Sequence, residues 1–423
     1  MDIVKKTYSI VRKKQHFLID ADSFSIIYLV VIYPLISISV SSRAVLLMVI
    51  PLLVRLAMDG SAIINRKMLP LIIIPLLAIL SGGKTAIAYG CKIGVTLLVV
   101  STLRGNLDRN YNLFIKTVKV NGIVVLITML FQIFLKEIAI PIYTPIWSLY
   151  LEGDKESLLY IIANTKTCCY GIIPNASYAA NSLTFALGLY VIDFKKNKNK
   201  MISLLLFLGI IITSKRSYMV FVTITLFFLR YIVCERRLRR KRIKEGLLII
   251  ATVIGVWIII EPFINYSPTG FGKLLASIKY FNDPVYIEKY YIRAERDTLS
   301  LYAFNIFKQN WLFGVGWGNF SKIYTKNMGI WVIDAHNTYI QILCESGLFA
   351  GMIIIGIMYR EFIQSIKLIN QERKSNYYFA YIITFIIMIM ITAFIFDLQQ
   401  FYVILFLCVY FMRNKQYRKI KVK

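Results

Sequence analysis

KKNKNKMISLLLFLGIIITSKRSYMVFVTITLFFLRYIVCERRLRRKRIK (195–244) sets the character of the chain. Two apolar runs, 201–213 and 217–233, are joined by a short turn through Ser214, Lys215 and Arg216. Each outer end is closed by a block of Lys and Arg. Apolar runs of near-spanning length between basic blocks read as a helical hairpin in a bilayer, with the blocks as topology anchors. Working outward, comparable runs fall at 24–40, 44–58, 68–81, 85–101, 120–136, 175–192, 246–261, 347–359, 377–396 and 398–412. The chain of 423 residues is 58% hydrophobic and 17% charged, with a mean hydropathy of +0.64. That excludes a single soluble domain, which could not hide so much apolar surface from water. The expectation is an all-α polytopic membrane protein of about 12 transmembrane helices, forming one integral membrane domain over 1–423. Alternation from a basic, cytoplasmic N-terminus puts both termini in the cytoplasm. A smaller external loop falls at 137–174, and a large external, periplasmic-side loop at 262–346, between spans 9 and 10.

The net charge is +28, from 50 Lys and Arg against 22 Asp and Glu. On the alternating topology most of this excess lies on one side, facing anionic inner-leaflet lipid. Membrane lipid is therefore the expected partner of the basic blocks, and no nucleic acid is. The 6 cysteines form no CxxC pair, and His16 and His336 are the two histidines. No metal site and no cofactor are expected from this set.

The 262–346 loop is far longer than a connection requires, so solvent-side chemistry is sought there. AERDTLSLYAFNIFKQN (294–310) has helical apolar spacing through Leu299, Tyr302, Ala303, Ile306 and Phe307. NWLFGVGWGNF (310–320) follows, with Gly314, Gly316 and Gly318. The GxGxG spacing is not the dinucleotide fingerprint. It reads either as an ordinary turn between helices or as a turn whose backbone N–H groups face an anion. DAHNTYIQILCESGLFAGMII (334–354) then leads into a span. His336, at its mouth, is of the residue type suited to proton transfer, or is simply a polar loop residue. Asn337 or Asp334 caps the helix. Gly347 and Gly351 form a small-xxx-small packing pair. Lys215 and Arg216 run against the charge bias and either grip phosphate or snorkel to head groups. Arg296 is a further phosphate candidate, or pairs with Asp283 or Glu288. Trp311, Trp317, Trp331 and Tyr339 are of the types that mark a membrane interface.

Taken in order, these pieces resemble the bacterial O-antigen polymerase and O-antigen ligase superfamily. The likeness rests on Ser214–Lys215–Arg216–Ser217, on Arg296 before a helix, on Gly314, Gly316 and Gly318, and on His336, Asn337, Glu345, Gly347 and Gly351. GIIPNASYAANS (171–182) matches through Pro174 and Asn175. Lys215 stands where many relatives have a serine directly before the arginine. The likeness covers roughly 171–356.

The resemblance implies a metal-independent glycosyltransferase of the bacterial inner membrane. Its substrates would be oligosaccharides linked to undecaprenyl pyrophosphate, and a chain-length regulator protein is an implied partner. Polymerisation of repeat units into O-antigen or capsular polysaccharide, at the outer face of that membrane, is the first expectation. Ligation of the finished chain to lipid A core is the alternative. A flippase for the same lipid is the reading of a different class. Catalytic roles fall to His336, Arg216 and Arg296. Substrate contacts fall to Lys215, Arg293, Gly314, Gly316, Gly318, Asn337, Glu345 and Asn175, with Glu345 placed to orient the histidine.

Overall fold

The computed structural model describes residues 20–33, 42–60, 63–150, 155–165, 169–173, 175–193, 197–232, 236–263, 275–276, 278–280, 283, 294–329, 334–369, 374–396 and 399–416. No strand occurs among the described residues. The α-helices are α1 (Ala21–Ile27), α2 (Ser42–Asp59), α3 (Ile73–Leu80), α4 (Lys84–Ser101), α5 (Leu107–Phe134), α6 (Lys136–Tyr150), α7 (Lys155–Asn164) and α8 (Ala176–Ile192). They continue as α9 (Asn197–Ile212), α10 (Arg216–Phe227), α11 (Arg236–Ile260), α12 (Ala294–Gln309), α13 (Asn319–Met328), α14 (Thr338–Ile369), α15 (Lys374–Ile389) and α16 (Gln399–Gln416).

Short polar side chains start several of these helices by accepting the first orphan N–H groups. Asn106 caps α5 through Asp108 N at 3.0 Å and Arg109 N at 3.3 Å. Asp20 caps α1 through Ser23 N at 2.8 Å. At the centre, α8 packs against α5, α9 and α15. Gly122 on α5 lets Ala186 and Ser182 O of α8 approach so closely that a Cβ would sit 2.3 Å from the Ala186 methyl. Helices α15 and α16 close the core, where Phe185 meets Phe385 and Phe401 edge-on and those two stack, with centroids 5.7–6.4 Å apart.

The expected twelve spans are corrected by this architecture. Among the described residues, three helices are long and apolar enough to cross a membrane: Lys84–Ser101, Leu107–Phe134 and Thr338–Ile369. Ala21–Ile32, Ala176–Ile192, Ser375–Ile389 and Gln400–Asn414 are apolar but shorter. Nor does the fold support the cytoplasmic placement of both termini or the external placement of a loop between spans 9 and 10. The physical reason is that an apolar run marks burial, and burial can be against protein as well as lipid. The runs at 377–396 and 398–412 fall on α15 and α16, whose side chains are buried on nearly every face. A helix apolar all round is what a protein core requires too. Length separates the two cases: the 16 residues of α15 reach only about 24 Å.

Candidate functional site

Helix α14 carries the HN element and is not continuous. Asn337 caps it, its Oδ1 accepting from Ile340 N at 3.1 Å. Thr338 bolts its first turn to the end of α15. Its N–H donates to Met390 O at 2.8 Å, its hydroxyl donates to Ala393 O, and Ile395 N donates to that hydroxyl at 3.1 Å. At Gly347 the backbone leaves the helix (φ 75°, ψ 179°) before the helix resumes.

The glycine loop fills that break. Val315 N donates to Cys344 O at 3.0 Å, Gly316 N to Glu345 O at 2.9 Å, and Leu348 N to Trp311 O at 2.7 Å. The groups orphaned by the break are thus satisfied by residues 311–316, as buried backbone requires. Only glycine fits at the crossing. A Cβ on Gly314 (φ 69°) would lie 2.5 Å from Glu345 C and O, and one on Gly347 would lie 2.3 Å from Leu312 O. Gly316 and Gly318 dock on the α3–α4 turn, against Ser81 O and the Thr85 side chain. Trp317 N donates to Ser81 Oγ at 3.1 Å, and Trp317 Nε1 to Ser346 Oγ at 2.5 Å. With Gly314 N held by Asn310 O at 2.8 Å, the N–H groups of residues 314 to 317 are engaged within the protein.

Glu345 is buried beneath this splice. Its Oε1 accepts from Phe320 N, at the start of α13, and from Gln341 Nε2, each at 3.3 Å. Its Oε2 has no partner among the described residues. Gln341 Oε1 accepts from Ala335 N at 2.9 Å. Glu345 therefore reaches the histidine loop through Gln341 rather than through the imidazole. Nothing in the sequence pattern flagged Gln341, although its four-residue offset from Glu345 on one helix face was the available signal.

His336 has a left-handed backbone (φ 52°). Asp334 Oδ1 lies 2.5 Å from its backbone N and 3.0 Å from Nδ1. The imidazole is 40% exposed, whereas the Asp334 side chain is 12% exposed. Ser300 Oγ of α12 donates to Ala335 O at 3.1 Å. That bond brings the first turns of α12, on whose backbone Arg296 lies, to the neighbour of His336. Arg293 and Trp331 lie outside the described residues, as do Pro174 and the side chain of Arg296.

Arg216 begins α10, after a tight turn in which Ser214 is left-handed (φ 58°). Lys215 and Arg216 are half-buried. Tyr218, half a turn on, meets Phe385 of α15 at 6.0 Å between centroids. The turn thus sits toward the end of α15 to which Thr338 is bonded. Asn175 caps α8 through Ser177 N at 2.8 Å. Tyr381 OH donates to Thr184 O at 2.7 Å and Phe185 meets Phe385, so α8 starts at that same end. The starts of α8, α10, α12 and α14 and the glycine loop therefore share one end of the bundle. Of the aromatic residues singled out in the sequence, Trp317 is buried, Trp311 is exposed, and Tyr339 OH donates to Ile387 O at 3.0 Å. Among the described residues no three His, Cys, Asp or Glu side chains gather as metal ligands.

These features define a multi-pass, all-α membrane protein with a polar site built around a spliced helix. Residues 201–355 match the family model described as O-antigen ligase. The family is associated with lipid-linked oligosaccharide substrates. No curated protein matches the chain, and no solved structure does.

Proposed function

We propose that the chain is an inner-membrane glycosyltransferase that moves a saccharide from undecaprenyl pyrophosphate to an acceptor hydroxyl. Arg216 and Arg296, with Arg293 adjacent, hold the pyrophosphate and stabilise charge developing on it. Lys215 adds charge at the same turn. His336 takes the proton of the acceptor hydroxyl as that oxygen attacks the anomeric carbon. Asn337 and Asn175 fix the starts of α14 and α8 around the substrate. Gly314, Gly316, Gly318 and Glu345 hold the loop in register. The carrying observation is the half-exposed imidazole of His336, bolted to α12, α14 and α15 at the end of the bundle where the Arg216 turn also lies.

Between the two transfers, the family description favours ligation to lipid A core over the polymerisation expected first from the sequence. The deciding experiment supplies purified protein with an undecaprenyl-pyrophosphate-linked oligosaccharide and, in parallel, lipid A core or further lipid-linked repeats. Product on lipid A core supports the ligase. Elongated lipid-linked chains without it would make the protein a polymerase. His336→Ala and Arg216→Ala are expected to abolish product at unchanged membrane levels; full product from both would remove them from the chemistry.

A further inference from the structure

We propose that Asp334 is the positioning residue for His336, a role that the sequence pattern gave to Glu345. The inference rests on the reading of His336 as the proton acceptor. Its geometric basis is a single carboxylate oxygen that meets the same residue twice, at the backbone N (2.5 Å) and at Nδ1 (3.0 Å). The first contact closes a tight turn that supports the left-handed backbone of His336 (φ 52°). Non-glycine residues hold that conformation only when their surroundings enforce it. Here the enforcement is visible. Ala335, between the two partners, is fully buried. Its N–H is held by Gln341 and its carbonyl by Ser300. The carboxylate thus sits on a fixed piece of backbone, sunk into the protein, while the ring it meets stays half-exposed.

The chemical consequence concerns the two ring nitrogens. In the tautomer with its proton on Nδ1, the nitrogen 3.0 Å from the Asp334 carboxylate, the neutral imidazole carries its lone pair on Nε2. In the transfer step, the acceptor O–H gives its proton to Nε2 and its oxygen forms the new bond to the anomeric carbon. The bond from that carbon to the pyrophosphate oxygen breaks, and its electron pair leaves on the phosphate. The imidazolium formed is next to a carboxylate, which stabilises it and keeps the ring aimed, the logic of an oriented base. Glu345 is engaged with Gln341 and Phe320 and has no such contact.

Asp334→Asn separates a turn residue from a charged partner. An asparagine at this position retains an oxygen for the His336 N–H and so keeps the turn, but it removes the negative charge. Assayed with the undecaprenyl-pyrophosphate-linked oligosaccharide and lipid A core, Asp334→Asn is expected to lower kcat by about 100-fold. The donor KM and the melting midpoint are expected to stay at wild-type values. Asp334→Glu, which restores the charge on a longer arm, is expected to recover part of kcat. Wild-type kcat in Asp334→Asn, with His336→Ala inactive, would overturn the inference and leave Asp334 as a turn residue only. Full activity of His336→Ala would instead bring down the underlying reading of the base, and this inference with it.

Discussion

Gly347→Ala tests the spliced helix directly. The residue sits at φ 75°, ψ 179°, where a side chain costs about 1–3 kcal/mol of backbone strain. Its Cβ would also fall 2.3 Å from Leu312 O and 2.7 Å from Phe313 C. Both are backbone atoms, so no rotamer change relieves the overlap. Relief requires that the helix straighten and expel residues 311–316. Expulsion breaks the three hydrogen bonds from Val315 N, Gly316 N and Leu348 N. At about 1 kcal/mol each, those bonds amount to about 3 kcal/mol, and buried carbonyls left without donors raise the figure. Either route destabilises by roughly 3–5 kcal/mol. The assay is thermal unfolding of the detergent-solubilised protein, followed by intrinsic tryptophan fluorescence. The same helix supplies the control, because a Cβ on Gly356 meets nothing within 4 Å. Gly356→Ala should stabilise by up to about 1 kcal/mol through helix propensity. Opposite signs for the two alanines are expected. If both raise the melting midpoint, α14 is continuous and the account of the glycine loop is wrong. Gly314→Ala attacks the same crossing from the other side, so its loss should add less than fully to that of Gly347→Ala.

Other variants probe separate parts of the molecule. Arg216→Lys should keep the charge but lose planar bidentate geometry, so transfer should fall well below wild type in the donor–acceptor assay. Full activity would point to simple charge attraction. Asp22→Leu strands the buried guanidinium of Arg55, which it pairs with, and should destabilise by about 3–5 kcal/mol. The double change Asp22→Leu with Arg55→Met should recover only part of the melting midpoint, because the Arg104 and Gly105 N–H groups and Asn110 still lose their acceptor. Asn175→Ala removes the cap of α8 and should cost about 1 kcal/mol in thermal unfolding. Trp317→Phe removes the bond to Ser346, a loss of about 1 kcal/mol read in the same experiment.

What the sequence makes legible is local. The helical spacing of Leu299, Ala303 and Ile306 is realised in α12, where those residues pack with Phe320, Tyr324 and Cys344. The alternative of Asn337 or Asp334 as cap resolves into two jobs, Asn337 on α14 and Asp334 on His336. What it hides is long-range. That Gly314 faces Gly347 across 33 positions depends on a backbone crossing, and letters spaced along a chain carry no crossing. Gly347 read as half of a small-xxx-small pair because its spacing to Gly351 is helical, yet the helix is broken there. Span number was misjudged for a related reason. Hydropathy reports how apolar a run is, not whether lipid or a neighbouring helix covers it, and α15 and α16 are covered by protein.

The placement of charge is a reason to put the proposed site at one end of the bundle rather than the other. Helix α4 leaves the glycine loop at Thr85 and ends near Asp22, Arg55 and Gly105. Its 18 residues span about 27 Å, close to the hydrocarbon thickness of a bilayer, about 30 Å. Helices α14 and α16 run the same way and pair through Glu361 and Arg413. At that far end Asp22, Arg55, Glu361 and Arg413 are buried and paired. Asp22 takes Arg55, the Arg104 and Gly105 N–H groups and Asn110, while Arg413 takes Glu361 and Lys67 O. Charges whose hydration has been wholly replaced by protein have nothing left to offer a substrate, and removing one partner leaves the other stranded. At the near end, His336, Lys215 and Arg216 keep part of their exposure, as the proposed transfer requires. Substitution at the far end should therefore register in melting and only secondarily in transfer, whereas substitution of Arg216 or His336 should register in transfer at an unchanged melting midpoint. Loss of melting stability from the near-end changes would place those charges among the structural ions and remove the argument for a site.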